Sequence, residues 1–278
     1  MRIRISHDIE LTYDRPASQT IQVLRVTPRS HAGQYVIDWR VDVSADCRMV
    51  PIEDPFGNLS HTFSVDGPLE ALTINIAGEV ETEDTSGVIR SSVDRLPASL
   101  FLRETPLTMA NDDIRAFADK VASGSRDQLA VLHALNDAIN ERIRLVAPKI
   151  GPEVTAGVIF SARQGQPRDL AHLFLVAARH LGIPARFVNG YYYDAEKGAT
   201  VSESRHSWVE ARVPHLGWVG FDPTLACCPG DSHVRVASGL DHPAVMAIRA
   251  SAYGTAEETL TMSVRVEADA GIAMIDED

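Results

Sequence analysis

The sequence predicts an α+β protein built in two parts. An antiparallel, sandwich-like β-domain occupies residues 1–96, and a core over residues 97–278 places helices first and a mostly antiparallel sheet after them. Three observations predict this. From Arg2 to about Val93 the apolar residues recur with period two, after Pro106 they take the period of helices, and beyond Gly182 the alternation of strands returns.

The first part reads as RIRISHDIELTY, IQVLRVTP, QYVIDWRVDV, LSHTFSV and LTINIAGEVET, with turn chemistry between them at Asp14-Arg15-Pro16, His31-Ala32-Gly33 and Phe56-Gly57-Asn58. These strands follow one another too closely for intervening helices, so a meander or small sandwich is expected and a parallel sheet is not. The boundary falls near Leu96-Pro97. Asn111 can then cap a helix whose Ile114, Phe117, Ala118 and Val121 share one face and which stops at Gly124. Ser125, with Gln128 three residues on, reads as a capping box opening a second helix, with Leu129, Leu132, Leu135, Ile139 and Ile143 turned inward. A third helix runs from Pro167, at the first helical position where a missing N–H is harmless, through Leu170, Leu173, Ala177 and Leu181 to Gly182. It is the most apolar helix and should be the buried one. The strand-like pieces ARFVNGYYY, RHSWVEARV, GWVGFDPT and TLTMSVRVE follow, and Asp276-Glu277-Asp278 reads as a solvated tail.

Composition narrows the function classes. The 278 residues are 45% hydrophobic, enough for a substantial core, and carry 26 basic against 38 acidic side chains, a formal charge of −12. With no Lys/Arg cluster to concentrate positive charge on one face, neither nucleic acid nor a membrane surface is an expected partner. Charges interrupt the N-terminal MRIRISHDIELTYD, and the longest apolar run is about Leu173 to Ala178, so no secretory leader or membrane span is expected. Cys47 stands alone and Cys227 and Cys228 are adjacent, which suits neither a disulfide framework nor a zinc site. A reducing, cytoplasmic setting is the expectation.

Three stretches stand out together: GQPRDLAHLFLVAARHLGIPARFVNGY, RHSWVEARVPHLGW and GFDPT. They resemble the bacterial transglutaminase-like family, whose papain-like core reads as a helix beginning G-x-C-R-D-F-A-H, then L-G-I-P-A-R-x-V-x-G-Y, then H-x-W-V-E, then G-W-x-x-F-D-P-T. The resemblance extends outward through HDIELTYDRPASQTIQVLRVTPR and DPFGN, which are similar to the β-domain preceding the core in many bacterial members, and through DSHVRVASGLDHPAV after the Asp. In that family a Cys, a His and an Asp form a triad. The thiolate attacks an amide carbonyl, the His carries the proton and the Asp orients the imidazole. Carried over by position, the His is His206 and the Asp is Asp222. Alternation puts His206 and Trp208 on one strand face, and Asp222 ends the neighbouring strand.

The departure is at the nucleophile. Where the family has Cys, this chain reads Gly165-Gln166-Pro167-Arg168-Asp169, so the position is Pro167. Proline supplies no thiol, and it also lacks the backbone N–H that helps to bind the oxyanion in papain-like sites. Cys227 and Cys228 lie five and six residues past Asp222 and are the alternative thiols, although nothing sets either at a helix N-terminus. Ser207 points to the face opposite His206, and Ser204 sits at the strand edge. His206, His215, His233, Asp222 and the cysteine pair lack metal-ligand spacing, so no metal and no cofactor are expected.

Around this pair, Trp208 can line the pocket, Arg168 and Asp169 occupy the first helical turn, and Tyr191 and Tyr193 share a face from which they could touch substrate. Trp218, His172 and His180 fit packing or helix-end roles. The expectation is a transglutaminase-like protein without thiol catalysis, holding a peptide, protein or small amide in a retained cleft. Two alternatives stand beside it: His206 and Asp222 as a general-base pair with no covalent intermediate, and a cysteine amidase or acyl transferase using Cys227 or Cys228. Substrate identity and oligomeric state are not legible in the sequence.

Overall fold

Long strands with a single buried face need a partner along their whole length, and the N-terminal half solves this with one bent sheet. The structure, a computed structural model, describes residues 1–89, 95–147, 153–202, 205–254 and 257–268. Strand β1 (Arg2–Thr27) is 26 residues long, β2 covers Gln34–Val43, β3 Val50–Glu53 and β4 Leu59–Thr82. What reads as two strands either side of Asp14-Arg15-Pro16 is therefore one. Odd-numbered residues from Ile3 to Tyr13 face the core, and even-numbered residues from Thr20 to Val26 do so afterwards. The phase changes where the β1–β4 register shifts, between Thr12 and Gln19. The partner strand bends at the same place: a Cβ on Gly67 would lie 1.9 Å from the Ala17 carbonyl oxygen, so only glycine permits the crossing.

The central helical elements are α1 (Asp112–Ala122) and α2 (Gln128–Arg142), after a short β5 (Val88–Ile89). Asn111 caps α1 as expected, its side chain accepting from Ile114 N–H at 2.9 Å. The cap of α2 differs from the expectation. It is Asp127, accepting from Leu129 N–H at 3.1 Å, while the Ser125 hydroxyl accepts from Asp127 N–H one step earlier. Two-residue strands β6 (Arg144–Leu145) and β7 (Gln164–Gly165) pair in parallel around α3 (Ala156–Ala162), a helix too short to show in the periodicity. Helix α4 (Pro167–His180) is the buried one: every residue but Arg168 and His180 is buried. Its C-terminal end is fixed by buried Arg179, whose guanidinium donates to the carbonyls of Phe101, Ala185 and Leu240 and to the Thr108 hydroxyl.

The core sheet is five-stranded, in the order β12-β8-β10-β11-β5, with β8 (Ala185–Tyr192), β10 (His206–Val213), β11 (Gly217–Phe221) and β12 (His233–Gly239); β9 (Thr200–Ser202) lies outside it. Helix α4 covers one face, with Phe174 stacked on Phe221 and His172 against Phe187. After the short α5 (His242–Val245), β13 (Ile248–Tyr253) and β14 (Glu258–Ala268) return to pair with β1. TLTMSVRVE thus completes the N-terminal sheet, not the core sheet, and the order there is β2-β4-β1-β14-β9 with β13 and β3 at the far ends of β1 and β4. The sheet crosses the boundary drawn at Leu96-Pro97. The terminal Asp276-Glu277-Asp278 lies outside the described residues.

Candidate functional site

Three strand ends of the core sheet meet at one carboxylate. His206 opens β10, Asp222 follows the last residue of β11 and His233 opens β12. His206 Nε2 lies 2.6 Å and His233 Nε2 3.2 Å from the same Asp222 oxygen, Oδ2. The other oxygen accepts the backbone N–H groups of Thr224 at 2.9 Å and Leu225 at 3.3 Å. Burial alone would raise the Asp222 carboxyl. The charge on His206 and the hydrogen bonds from His206 and His233 outweigh it and hold the group well below the ordinary carboxylate range. An ionised carboxylate only accepts, so both imidazoles carry hydrogen on Nε2. In His233 the other nitrogen accepts from Gly230 N–H at 3.3 Å, and burial lowers its pKa despite Asp222, so this ring is neutral. When His206 is neutral, the same hydrogen bond leaves the lone pair on Nδ1.

The Asp222 loop is fixed from two sides. Asp222 and Cys227 pair through their backbones, N–H to carbonyl at 2.8 Å and 3.3 Å. From α2, Asn140 donates to the carbonyls of Pro223 and Thr224, and Asn136 to that of Cys227. Around the imidazoles stand aromatic rings: Tyr192 is 5.2 Å from His206 and 4.9 Å from His233, and Trp208 is 6.1 Å and 5.4 Å from them. Trp208 is buried and reaches this place because position 190 is glycine, where a Cβ would come within 2.6 Å of its ring.

The pair His206 and Asp222 is thus brought together, with Trp208 beside it. The tyrosines fall differently. Tyr191 is buried on the other sheet face, its hydroxyl 3.0 Å from His7 Nδ1 and its ring against Trp39, so it belongs to the core and is not placed for substrate. Tyr193 packs partly buried against the same core, and the ring beside His206 is that of Tyr192. Pro167 opens α4 and is buried; Gln166 N–H donates to Asp169 Oδ2 at 2.8 Å, while Arg168 Nε lies 3.8 Å from Asp169 Oδ1. Asp169 here secures the helix start, and the buried Arg168 Nε has no hydrogen-bond partner among the described residues. Nearby, Glu153 holds His242 Nδ1 at 2.5 Å and the His242 N–H donates to His172 Nε2 at 3.0 Å.

Neither alternative thiol is activated. Burial first, then the charges of Asp222 and Cys228, push Cys227 up to about 11, and burial raises Cys228 too. Ser207 is buried on the α4 side, accepting from Asn189 at 3.1 Å, and Ser204 lies outside the described residues. His206 Nε2, Asp222 Oδ2 and His233 Nε2 lie within 4.8 Å of one another, the only group among the described residues with three such atoms so close, so these could hold a cation if it displaced both Nε2 protons. His215 stands apart, in the exposed turn before β11.

Comparison with known proteins agrees with this fold. The family model of the bacterial transglutaminase-like N-terminal region matches residues 3–81, and that of the transglutaminase-like superfamily matches residues 115–223. An uncharacterised protein of Mycobacterium leprae is 27% identical over 278 residues, covering 95% of this chain and 98% of its own. A protein-glutamine gamma-glutamyltransferase of Pseudomonas aeruginosa is 28% identical over 144 residues, covering 47% of this chain and 20% of its own. Among solved structures, a candidate cysteine protease from Cytophaga hutchinsonii superposes with a TM-score of 0.76 at 19% identity, covering 100% of this chain and 92% of that one. That likeness concerns the fold alone.

Proposed function

We propose that this chain, which belongs to the bacterial transglutaminase-like family, is a non-thiol member that binds a peptide, protein or small amide beside His206 and Asp222 without forming an acyl-enzyme. Pro167 carries the reading. At the first position of α4 it removes both the nucleophile and the backbone donor that would meet the oxyanion, while leaving the helix intact. The protonated state of Cys227 supports it, since a thiol held near 11 offers little thiolate at neutral pH. Cysteines without framework spacing agree with a cytoplasmic setting.

One observation favours a second reading. The His206 ring is oriented through Nε2 by an ionised Asp222, so that in its neutral form the lone pair lies on Nδ1, the arrangement a general base needs to take a proton from substrate or water.

The test restores what is missing. The wild-type protein should release no ammonia from a glutamine-containing peptide, with or without iodoacetamide. Pro167→Cys should gain a thiol alkylated at neutral pH and a measurable release of ammonia, and adding His206→Ala should remove both. A folded Pro167→Cys variant whose new thiol stays inert would show that the site is no longer arranged for acyl transfer. Turnover by the wild-type protein that is insensitive to alkylation but lost in His206→Ala would favour the general-base reading.

A further inference from the structure

The meeting of His206, Asp222 and His233 is built into the backbone. In β8, Gly190 pairs with His206 on one side and with Arg235 of β12 on the other. A Cβ at position 190 would lie 2.0 Å from the Val234 carbonyl oxygen, so glycine lets β12 close in just where His233, the residue before Val234, turns toward Asp222. The two imidazole rings stand 5.9 Å apart and tilted by 56°, unstacked, and both Nε2 atoms converge on Asp222 Oδ2.

Two imidazoles and one carboxylate converging on a point are a ligand set for a divalent ion of the zinc class. Zinc at about 2.0–2.2 Å from each ligand atom sets tetrahedral neighbours about 3.3 Å apart. His233 Nε2 and Asp222 Oδ2 already stand at 3.2 Å, and the 2.6 Å between His206 Nε2 and the same oxygen has to open by about 0.7 Å. His206 is the partly exposed member and the one that has to move. The surroundings suit such an ion. Asp222 is fully buried and ionised, so it attracts a dication where little water screens the charge. Its second oxygen is oriented by the N–H groups of Thr224 and Leu225, in a loop that Asn140 holds from α2. Each imidazole would carry its hydrogen on Nδ1 when it gives its Nε2 lone pair to the ion. For His233 this costs the 3.3 Å hydrogen bond from Gly230 N–H, which sets the affinity below that of a site built for zinc alone.

We propose that His206, Asp222 and His233 form a binding site for one divalent ion of the zinc class, filled when the ion displaces the two Nε2 protons. The site needs no thiol, so it goes beyond the reading of Pro167 and stands or falls separately from it.

The full chain, freed of metal with a chelator, is titrated with zinc chloride by calorimetry at about pH 7.5, where an ordinary histidine is neutral. One zinc per chain should bind with a Kd of about 10 μM or tighter. His233→Gln keeps an amide hydrogen for Asp222 but offers zinc no imidazole, and Asp222→Asn removes the charge; each should weaken zinc at least about tenfold. His215→Asn, in the exposed turn before β11, should change nothing. Should either site variant fail to fold, X-ray absorption by the zinc-loaded wild-type protein decides: two imidazoles and a carboxylate around the ion support the site, and one imidazole or none overturns it. No binding at about 1 mM zinc, binding undiminished in either site variant, or binding that is lost in His215→Asn would also overturn the assignment.

Discussion

Replacing Asp222 separates what its carboxylate does for the fold from what it does for the imidazole. Asp222→Ala strips the acceptor from four donors: the Nε2–H groups of His206 and His233 and the backbone N–H groups of Thr224 and Leu225. The His233 side chain is 5% exposed and cannot turn to water, whereas that of His206, at 12%, partly can. At about 1–3 kcal/mol for each buried donor left unsatisfied, with the longer Leu225 bond and the His206 bond discounted, the loss should be about 3–5 kcal/mol. Asp222→Asn should cost far less. The amide oxygen keeps Thr224 and Leu225, and the two amide hydrogens can reach both Nε2 atoms if each imidazole moves its proton to Nδ1. His233 then loses its acceptor for Gly230 N–H, which sets the cost at about 1–2 kcal/mol. The same tautomer shift turns His206 Nδ1 into a donor, so the Asn variant should keep most of the stability that the Ala variant loses and yet be unable to activate a thiol in the Pro167→Cys background. Urea unfolding of the three proteins, followed by tryptophan fluorescence, reads the first part and alkylation rates read the second. Equal losses in Asn and Ala, or an Ala variant within about 1 kcal/mol of wild type, would refute the reasoning that this carboxylate is a buried hub.

Other outcomes follow from the same structure. Cys227, pushed up to about 11, should react with iodoacetamide slowly at neutral pH and faster as the pH approaches that value, and fast alkylation near pH 7 would restore the thiol alternative. His7 and His172 are buried and brought down to about 3, His7 by burial and then Arg205, His172 by burial and then His242. The unfolded chain therefore binds more protons than the native one between about pH 3 and pH 6.5, so their contribution is complete above about 6.5 and lost on acidification. Unfolding free energy measured by denaturant should fall by about 2–4 kcal/mol from pH 7 to pH 5, at up to about 1.4 kcal/mol per unit for each ring, and a flat profile would contradict their burial as neutral imidazoles.

Much of the site was legible because its signals are local. The stretches around His206 and Asp222 lie on adjacent strands joined by a short turn, so alternation and chain order suffice to bring the two together. His233 was visible only as a histidine. Its approach to Asp222 depends on β12 pairing with β8 across the sheet, a non-local choice that no spacing reveals. Alternation correctly set Tyr191 apart from Tyr192, but not which face of β8 the N-terminal sheet would cover; the His7 contact, 184 positions away in sequence, decides that. The long β1 read as two strands because a one-residue slip in burial phase looks, in sequence, like a turn.

The return of β13 and β14 to β1 has a consequence for the order of assembly. β1 is the first strand made, and β4 can cover one of its edges early, but the other edge pairs with residues 248–253 and 258–268, separated from it by the whole α/β core. Until those residues leave the ribosome, more than half of β1 presents open hydrogen-bonding groups beside an apolar face, the condition that invites pairing with other chains. The N-terminal sheet is thus closed last although it is begun first. A chain stopped short of residue 248 would keep every residue of the His206 site and still lack the strands that make its first domain safe in solution.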